Sequence, residues 1–166
     1  MNTNYRVSSF NISNCCQFEI DAIFKLNQQN TPEVGSLESI EHLKKLIELS
    51  AYNLLMLHDQ EIVGFIICMR EGSMYESENY KFFKKRLKKF LYVDRVAIDE
   101  NHRRSGLGIA IYENIFAHVN NEDLPIALEV NTQPVNQPSL NFHEKMGFEK
   151  IGRRNFDDHS VAYFLK

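Results

Sequence analysis

The sequence predicts an α/β (α+β) fold of about seven strands and four helices, in the order β-α-α-β-β-β-α-β-α-β-β. Three observations carry this prediction. β-prone apolar runs at 52–58, 62–69, 90–98 and 125–131 alternate with stretches whose apolar residues recur at helical spacing. Gly and Pro are scattered as punctuation, and no repeat or low-complexity tract interrupts the chain. At 166 residues there is room for a single domain, spanning 1–166, and not comfortably for two.

Residues 5–10 read as a short strand. Asn14 with Gln17 three positions on is a capping signal for a helix over 15–29. Thr31-Pro32 and Gly35-Ser36 then break the chain, and Ser36 stands as N-cap to a second helix with the stripe Leu37, Ile40, Leu43 and Ile47. Tyr52–His58 and Ile62–Met69, joined across His58-Asp59-Gln60-Glu61, read as a hairpin. Phe90–Ile98 is a further strand, followed by a polar loop and a helix carrying Leu107, Ile111, Ile115 and Val119 at four-residue steps. Pro125–Asn131 is a strand, Gln137–Met146 a helix stopped by Gly147, and 148–154 with 160–165 a closing pair of strands.

Composition excludes several classes. No apolar stretch approaches the ~20 residues of a membrane-spanning helix, and Met1–Arg6 lacks the pattern of a secretory signal, so the expected setting is the cytoplasm, with no membrane partner. Cys15, Cys16 and Cys68 form neither a disulfide framework nor a CxxC pair, and the six histidines show no ligand spacing, so no metal is expected. A net charge of −3 argues against a dedicated nucleic-acid binder, although local charge can differ.

Arg103-Arg104-Ser105-Gly106-Leu107-Gly108 falls between a predicted strand and a predicted helix, where free amides and the helix dipole favour an anion. Glycine at 106 and 108 leaves room for phosphate oxygens near the backbone, and the arginines can add charge-assisted bonds. The spacing matches neither the GxxxxGK[ST] loop nor the dinucleotide GxGxxG. The plain alternative is a tight turn with solvated arginines.

In context the segment resembles the Gcn5-related N-acetyltransferase (GNAT) superfamily. Its hallmark, a strand, then [Q/R]xxGx[G/A], then a long helix, is similar to Tyr92–Ile98 followed by Arg103–Gly108. A second block resembles Glu129-Val130-Asn131, Asn136 and Phe142-His143-Glu144-Lys145-Met146-Gly147-Phe148. The likeness is specific over 90–148, reaches back through the 52–69 hairpin, and over 1–50 extends only to helix order. Tyr75-x-Ser77-x-Asn79-Tyr80 and Phe90–Arg95 further resemble a subgroup of predicted acetyltransferases. The resemblance implies a mixed central sheet flanked by helices and acetyl-CoA as co-substrate. It also implies coenzyme contacts from Val96, Ala97, Ile98, Arg103, Arg104, Ser105, Gly106, Leu107, Gly108 and Ile109. Asn131, Asn136 and Ser139 would reach the pantetheine amides, with Asn136 also capping its helix.

Transfer of an acyl group from a thioester to an amine needs a neutral nucleophile, a donor to the acyl oxygen and a route for the thiolate to leave. Alternation puts Ile126, Leu128 and Val130 on one strand face and Glu129 on the other, so Glu129 is the candidate base, with a salt-bridged carboxylate as the plain alternative. Asp94 competes; the same alternation places it beside Tyr92, Val96 and Ile98, with Arg95 opposite. Where the resemblance implies a tyrosine acid this chain has His143, which can either protonate a thiolate or serve only locally. Tyr75, Asn79 and Tyr80 are expected to border the acceptor pocket, where Glu76, Glu78, Asp94 and Glu129 suit a cationic amine. The partner is then a small amine-bearing substrate or a peptide; a homodimer is left open. A non-catalytic acyl-CoA-binding module is the rival reading. From Lys81 to Lys89 six of nine residues are basic over Phe83, Leu87 and Phe90, an amphipathic helix or turn. It reads as a solvated face, a nucleic-acid or acidic-membrane patch, or a contact to the coenzyme's phosphates.

Overall fold

A computed structural model describes residues 5–166; the N-terminal reading of Met1–Arg6 therefore falls partly outside the described residues, at 1–4. Seven strands form one sheet in the order β1-β2-β3-β4-β5-β7-β6. They are β1 (Tyr5–Ser9), β2 (Tyr52–His58), β3 (Glu61–Arg70), β4 (Leu91–Ile98), β5 (Ile126–Gln133), β6 (Glu149–Asn155) and β7 (Ser160–Leu165). Every pairing is antiparallel except β4 with β5. The helices are α1 (Gln17–Gln29), α2 (Ile40–Leu49), α3 (Glu78–Lys84), α4 (Leu107–Asn120) and α5 (Gln137–Lys145).

The sheet is buried on both faces, which is why its central strands read as continuous apolar runs. On one face Ile23, Leu43 and Ile47 of α1 and α2, with Tyr80 and Phe83 of α3, pack on Phe65, Ile67, Tyr92 and Tyr163. On the other, Leu107, Ile111, Ile115 and Val119 of α4 pack on Ile66, Val93, Leu128 and Phe164. Each such fully buried aliphatic side chain contributes roughly 1.5–3 kcal/mol relative to exposure. The β2–β3 hairpin turns through Asp59 and Gln60, both at positive φ (48° and 74°), matching the right-handed twist of the strands.

The structure shifts two predicted caps. The N-cap of α1 is Cys16, whose backbone N–H donates to Glu19 Oε2 at 2.8 Å, not Asn14, which instead closes a turn with Asn11. The N-cap of α2 is Ser39 and not Ser36: Ser39 Oγ accepts from His42 N at 3.1 Å. Leu37 is buried as its place in the stripe demands, yet it stays outside the helix. Its N–H donates to Gln28 Oε1 at 2.9 Å and its carbonyl accepts from Gln28 Nε2 at 3.2 Å, which holds that backbone out of a helical ladder. A short helix, α3, is added to the predicted order where Ser77 accepts from Tyr80 N; only the first half of the basic 81–89 stretch is helical.

Candidate active site

The parallel strands β4 and β5 pair only at Leu91↔Ile126 and Tyr92↔Ala127, and then part. Each strand also carries one extra residue where they diverge. Asp94 is the bulge of β4, since Cys68 faces Val93 while the adjacent Ile67 faces Arg95. Thr132 is the bulge of β5, skipped between Asn131↔Val161 and Gln133↔Ser160. Bulges bend and twist a strand, so 93–98 and 128–133 frame a wedge whose facing edges lack a mutual hydrogen-bond ladder. The opening lies beyond the carboxyl ends of a parallel pair, where open α/β sheets bind ligands.

The bulge changes which side chains meet. Beyond Asp94 the alternation flips, so Val96 and Ile98 join the α4 face with Val93, while Ala97 joins Tyr92 on the α1 face. Arg95 therefore lies on the same side as Asp94 and not opposite: its Nε donates to Asp94 Oδ2 at 2.8 Å, and the two side chains are 7% and 4% exposed. Arg95 Nη1 continues to Asn27 Oδ1 at 2.9 Å and to the Gly35 carbonyl at 3.2 Å.

Glu129 stands on the same side, beside the wedge. Its Oε2 accepts from Tyr92 Oη at 2.8 Å and its Oε1 from Asn79 Nδ2 at 3.1 Å; Asn79 Oδ1 in turn accepts from Tyr163 Oη at 2.9 Å. Burial pushes the Glu129 carboxyl up to about 8; the bond from Tyr92 opposes this, the Asp94 charge adds to it and Asn79 opposes it again. The Tyr75 phenol is pushed up by burial and by the Asp94 charge beside it. Asp94, Glu129, Tyr75 and Asn79 are thus brought together. Tyr80 is not part of that group: it is wholly buried, and its Oη donates to the Arg70 carbonyl at 2.6 Å.

At the far end of β4 a single 3₁₀ turn (Glu100–His102) leads into the arginine–glycine loop. Gly106 holds φ +90°, a left-handed conformation suited to glycine, and α4 starts after it with no side-chain cap. The first amides of α4, from Leu107, Gly108 and Ile109, are those a helix start leaves without intrahelical partners. Gly108 serves packing: a Cβ there would stand 3.3 Å from the Phe142 ring. Arg103 is committed, donating to Asn30 Oδ1 at 2.8 Å and to the Ile98 carbonyl at 3.3 Å. Arg104, at φ +58°, is exposed, and Ser105 Oγ donates to the His102 carbonyl.

Around α5, Asn136 Oδ1 caps the helix by accepting from Ser139 N at 3.2 Å, and Asn131 Nδ2 donates to the Pro32 carbonyl at 3.2 Å. His143 is buried between α4 and α5. Its Nδ1 donates to the Ser139 carbonyl at 2.8 Å, which leaves Nε2 to accept from Tyr112 Oη at 2.7 Å. Burial pulls its pKa down to about 4, opposed by the Ser139 carbonyl, so the ring is neutral.

Residues 20–148 match the sequence profile of the Acetyltransferase (GNAT) family. The chain belongs to that family. A relative described as an N-alpha-acetyltransferase of Sulfurisphaera tokodaii is 30% identical over 162 residues, covering 94% of this chain and 91% of its own. The fold matches the ribosomal-protein-S18-alanine N-acetyltransferase of Escherichia coli with a TM-score of 0.70 at 15% identity, over 97% of this chain and 92% of the other. It matches Arabidopsis thaliana NAA60, solved in complex with acetyl-CoA, with a TM-score of 0.72 at 14% identity, over 98% of each chain. The GNAT chain described above is accordingly an enzyme of the acyl-transfer class. Its site has participants that strand alternation alone does not single out. Tyr92 meets the acidic group at Glu129, Tyr163 at Asn79 and Arg95 at Asp94, while Asn27 backs Arg95; of the four, only Tyr92 and Arg95, neighbours of Asp94 in the chain, carried a sequence signal.

Proposed function

We propose that this GNAT enzyme transfers an acetyl group from acetyl-CoA to a primary amine, foremost the α-amino group of a peptide, by direct attack within a ternary complex. The observation that carries the reading is the wedge between β4 and β5, with a carboxyl of pKa about 8 on its acceptor side. The relative's N-alpha-acetyltransferase name and the acetyl-CoA complex of the structural neighbour support it.

The residues present fit the coenzyme. The uncapped amides of Leu107, Gly108 and Ile109 and the left-handed Gly106 offer donors and clearance to a diphosphate, with Arg104 free to add a charge-assisted bond. The edge of β4 from Val96 to Ile98 would hold the pantetheine arm, with a Val96 amide as donor to the acyl oxygen. Asn131, Asn136 and Ser139 line the opposite side. Bound acetyl-CoA supplies an activated acyl carbon and a thiol leaving group. Glu129 takes the proton from the incoming ammonium; with a pKa near that of an α-amine it exchanges that proton at little cost. Asp94, tied to Arg95, and Tyr75 and Asn79 shape the pocket around the amine. His143 acts by position: both ring nitrogens are bonded within the α4–α5 pair, so it has no proton to offer the departing thiolate, which would leave as the C–S bond breaks and take its proton from water.

The test is thiol release with acetyl-CoA and short peptides carrying either a free or a formylated N-terminus, with spermidine and lysine-side-chain peptides alongside. Release and a mass gain of one acetyl group on the free N-terminus alone is the expected result. Coenzyme binding without release on any amine would reduce the chain to an acyl-CoA-binding module.

A further inference from the structure

The basic stretch from Lys81 to Lys89 has no part in the site above, and the structure shows which of its three sequence readings it suits. Its six cations stand against a chain total of −3, so the remaining residues carry −9. Lys84, Lys85, Arg86, Lys88 and Lys89 are all exposed. Among the described residues Lys84, Lys85, Arg86 and Lys88 have no carboxylate within ion-pair distance, while Lys81 pairs with Glu76 and Glu78, and Lys89 lies 3.8 Å from Asp123. The four line a cavity of about 560 Å³ together with Leu87 and Glu71. Glu71 does not neutralise them. It is held by Arg70 in two bonds of 2.8 and 3.0 Å, accepts from the Phe90 amide, and its pKa is pulled down to about 2, chiefly by Arg70.

Folding requires only the apolar side of this segment, through Phe83, Leu87 and Phe90. A merely solvated face would tolerate mixed signs, and like charges this close repel. The coenzyme's phosphates are out of reach. The segment enters β4 at Leu91 and the Gly106 turn follows β4 at Ile98, about 23 Å away at the rise of a strand. Lys89 also donates to the Glu122 carbonyl beyond the C-terminus of α4, whereas the Gly106 turn is at its N-terminus, about 21 Å away over fourteen residues. An acidic membrane is a poorer fit. The segment's apolar residues face the core, and the large exposed ones (Phe18, Met74, Ile109, Val135 and Ile151) all lie elsewhere in the sequence, so nothing in it is set to insert.

We propose that the concave turn at residues 84–88 binds the phosphate backbone of a nucleic acid, through Lys84, Lys85, Arg86 and Lys88 and without base recognition. The segment exposes no aromatic ring for stacking, so the contact is electrostatic and independent of sequence.

Fluorescence anisotropy with a labelled single-stranded RNA of about 20 nucleotides tests this. We expect micromolar binding at about 50 mM salt, with log K falling against log salt at a slope of about −3, as four phosphate contacts on a single strand require. Lys85→Glu/Lys88→Glu should weaken binding at least tenfold and cut the slope by about half, with thermal melting unchanged; Lys85→Gln/Lys88→Gln decides the matter should the double reversal not fold. A scrambled RNA should bind equally well. The proposal is overturned by no anisotropy change at low salt, by parental affinity in the double variant, or by retention on phosphatidylserine vesicles without RNA binding.

Discussion

Glu129 is the residue whose surroundings are hardest to explain by packing alone. A half-buried carboxyl raised to about 8 keeps its proton in the folded chain between roughly pH 4.5 and 8, where the unfolded chain has released it. The sign follows: the folded state binds more protons in that window, so stability declines as pH rises from 4.5 and the loss is complete above 8. Glu129→Gln keeps the bond from Tyr92 and removes the titration. Melting curves should show the variant gaining on the parent between pH 6 and pH 9. Acetyl transfer should fall about 10²–10⁴-fold, the usual range for a lost general base. Tyr92→Phe is the complementary change. It deletes a bond that stabilises the carboxylate, so the rising limb of the parent's pH–rate profile should move to higher pH. A limb that stays in place would detach Tyr92 from the chemistry.

At the scale of elements, the α4–α5 pair joins the Gly106 turn to the sheet. His143 and Tyr112 form its buried polar contact, and a histidine depressed to about 4 titrates in the opposite sense. Between pH 4 and about 6.5 the unfolded chain holds the proton that the folded chain refuses, so this contribution is complete above 6.5 and is lost on acidification through that window. His143→Phe should flatten the acid limb of the stability curve. It should also cost about 1–3 kcal/mol by orphaning the Tyr112 hydroxyl, while turnover stays within a few-fold of the parent. A collapse of turnover without loss of stability would return His143 to the role of acid. Gly106→Ala probes the other end of the pair. A Cβ meets nothing within 4 Å there, so only the left-handed backbone is strained, by about 1–2 kcal/mol, and affinity for acetyl-CoA should fall while the acceptor KM holds. These elements were largely legible in the sequence, because apolar period separates strands from helices and Gly106 and Gly147 mark a start and a stop. Among the local features that were not, two show why. Ser36 and Ser39 both satisfy the rule for a helix cap, and only the distant Gln28, by holding Leu37 extended, decides between them. Strand alternation assumes fixed parity, and the single extra residue at Asp94 reverses it for Arg95, Val96 and Ile98.

Across the whole molecule, that reversal links the two halves of the site. The last turn of α1 and the loop from there to α2 are fastened from three directions: by Arg95 through Asn27 and the Gly35 carbonyl, by Arg103 through Asn30, and by Asn131 through the Pro32 carbonyl. These anchors come from β4, the arginine–glycine loop and β5, so the loop rests on both walls of the wedge. Arg95 is the buried anchor and has two functions, neutralising Asp94 and holding the loop. The functions separate by mutation. Arg95→Met leaves a buried carboxylate unpaired and should destabilise the chain by about 3–5 kcal/mol. Adding Asp94→Asn removes the stranded charge and should recover much of that loss. The loop has still lost its tether to Gly35, so the acceptor KM of the double variant should stand about tenfold above that of Asp94→Asn alone, which carries the same pocket change, while the affinity for acetyl-CoA, measured by calorimetry, is that of the parent. A double variant with the KM of Asp94→Asn would mean that Arg95 serves stability alone; one that has also lost acetyl-CoA would mean that the loop supports the coenzyme side of the wedge and not the acceptor side.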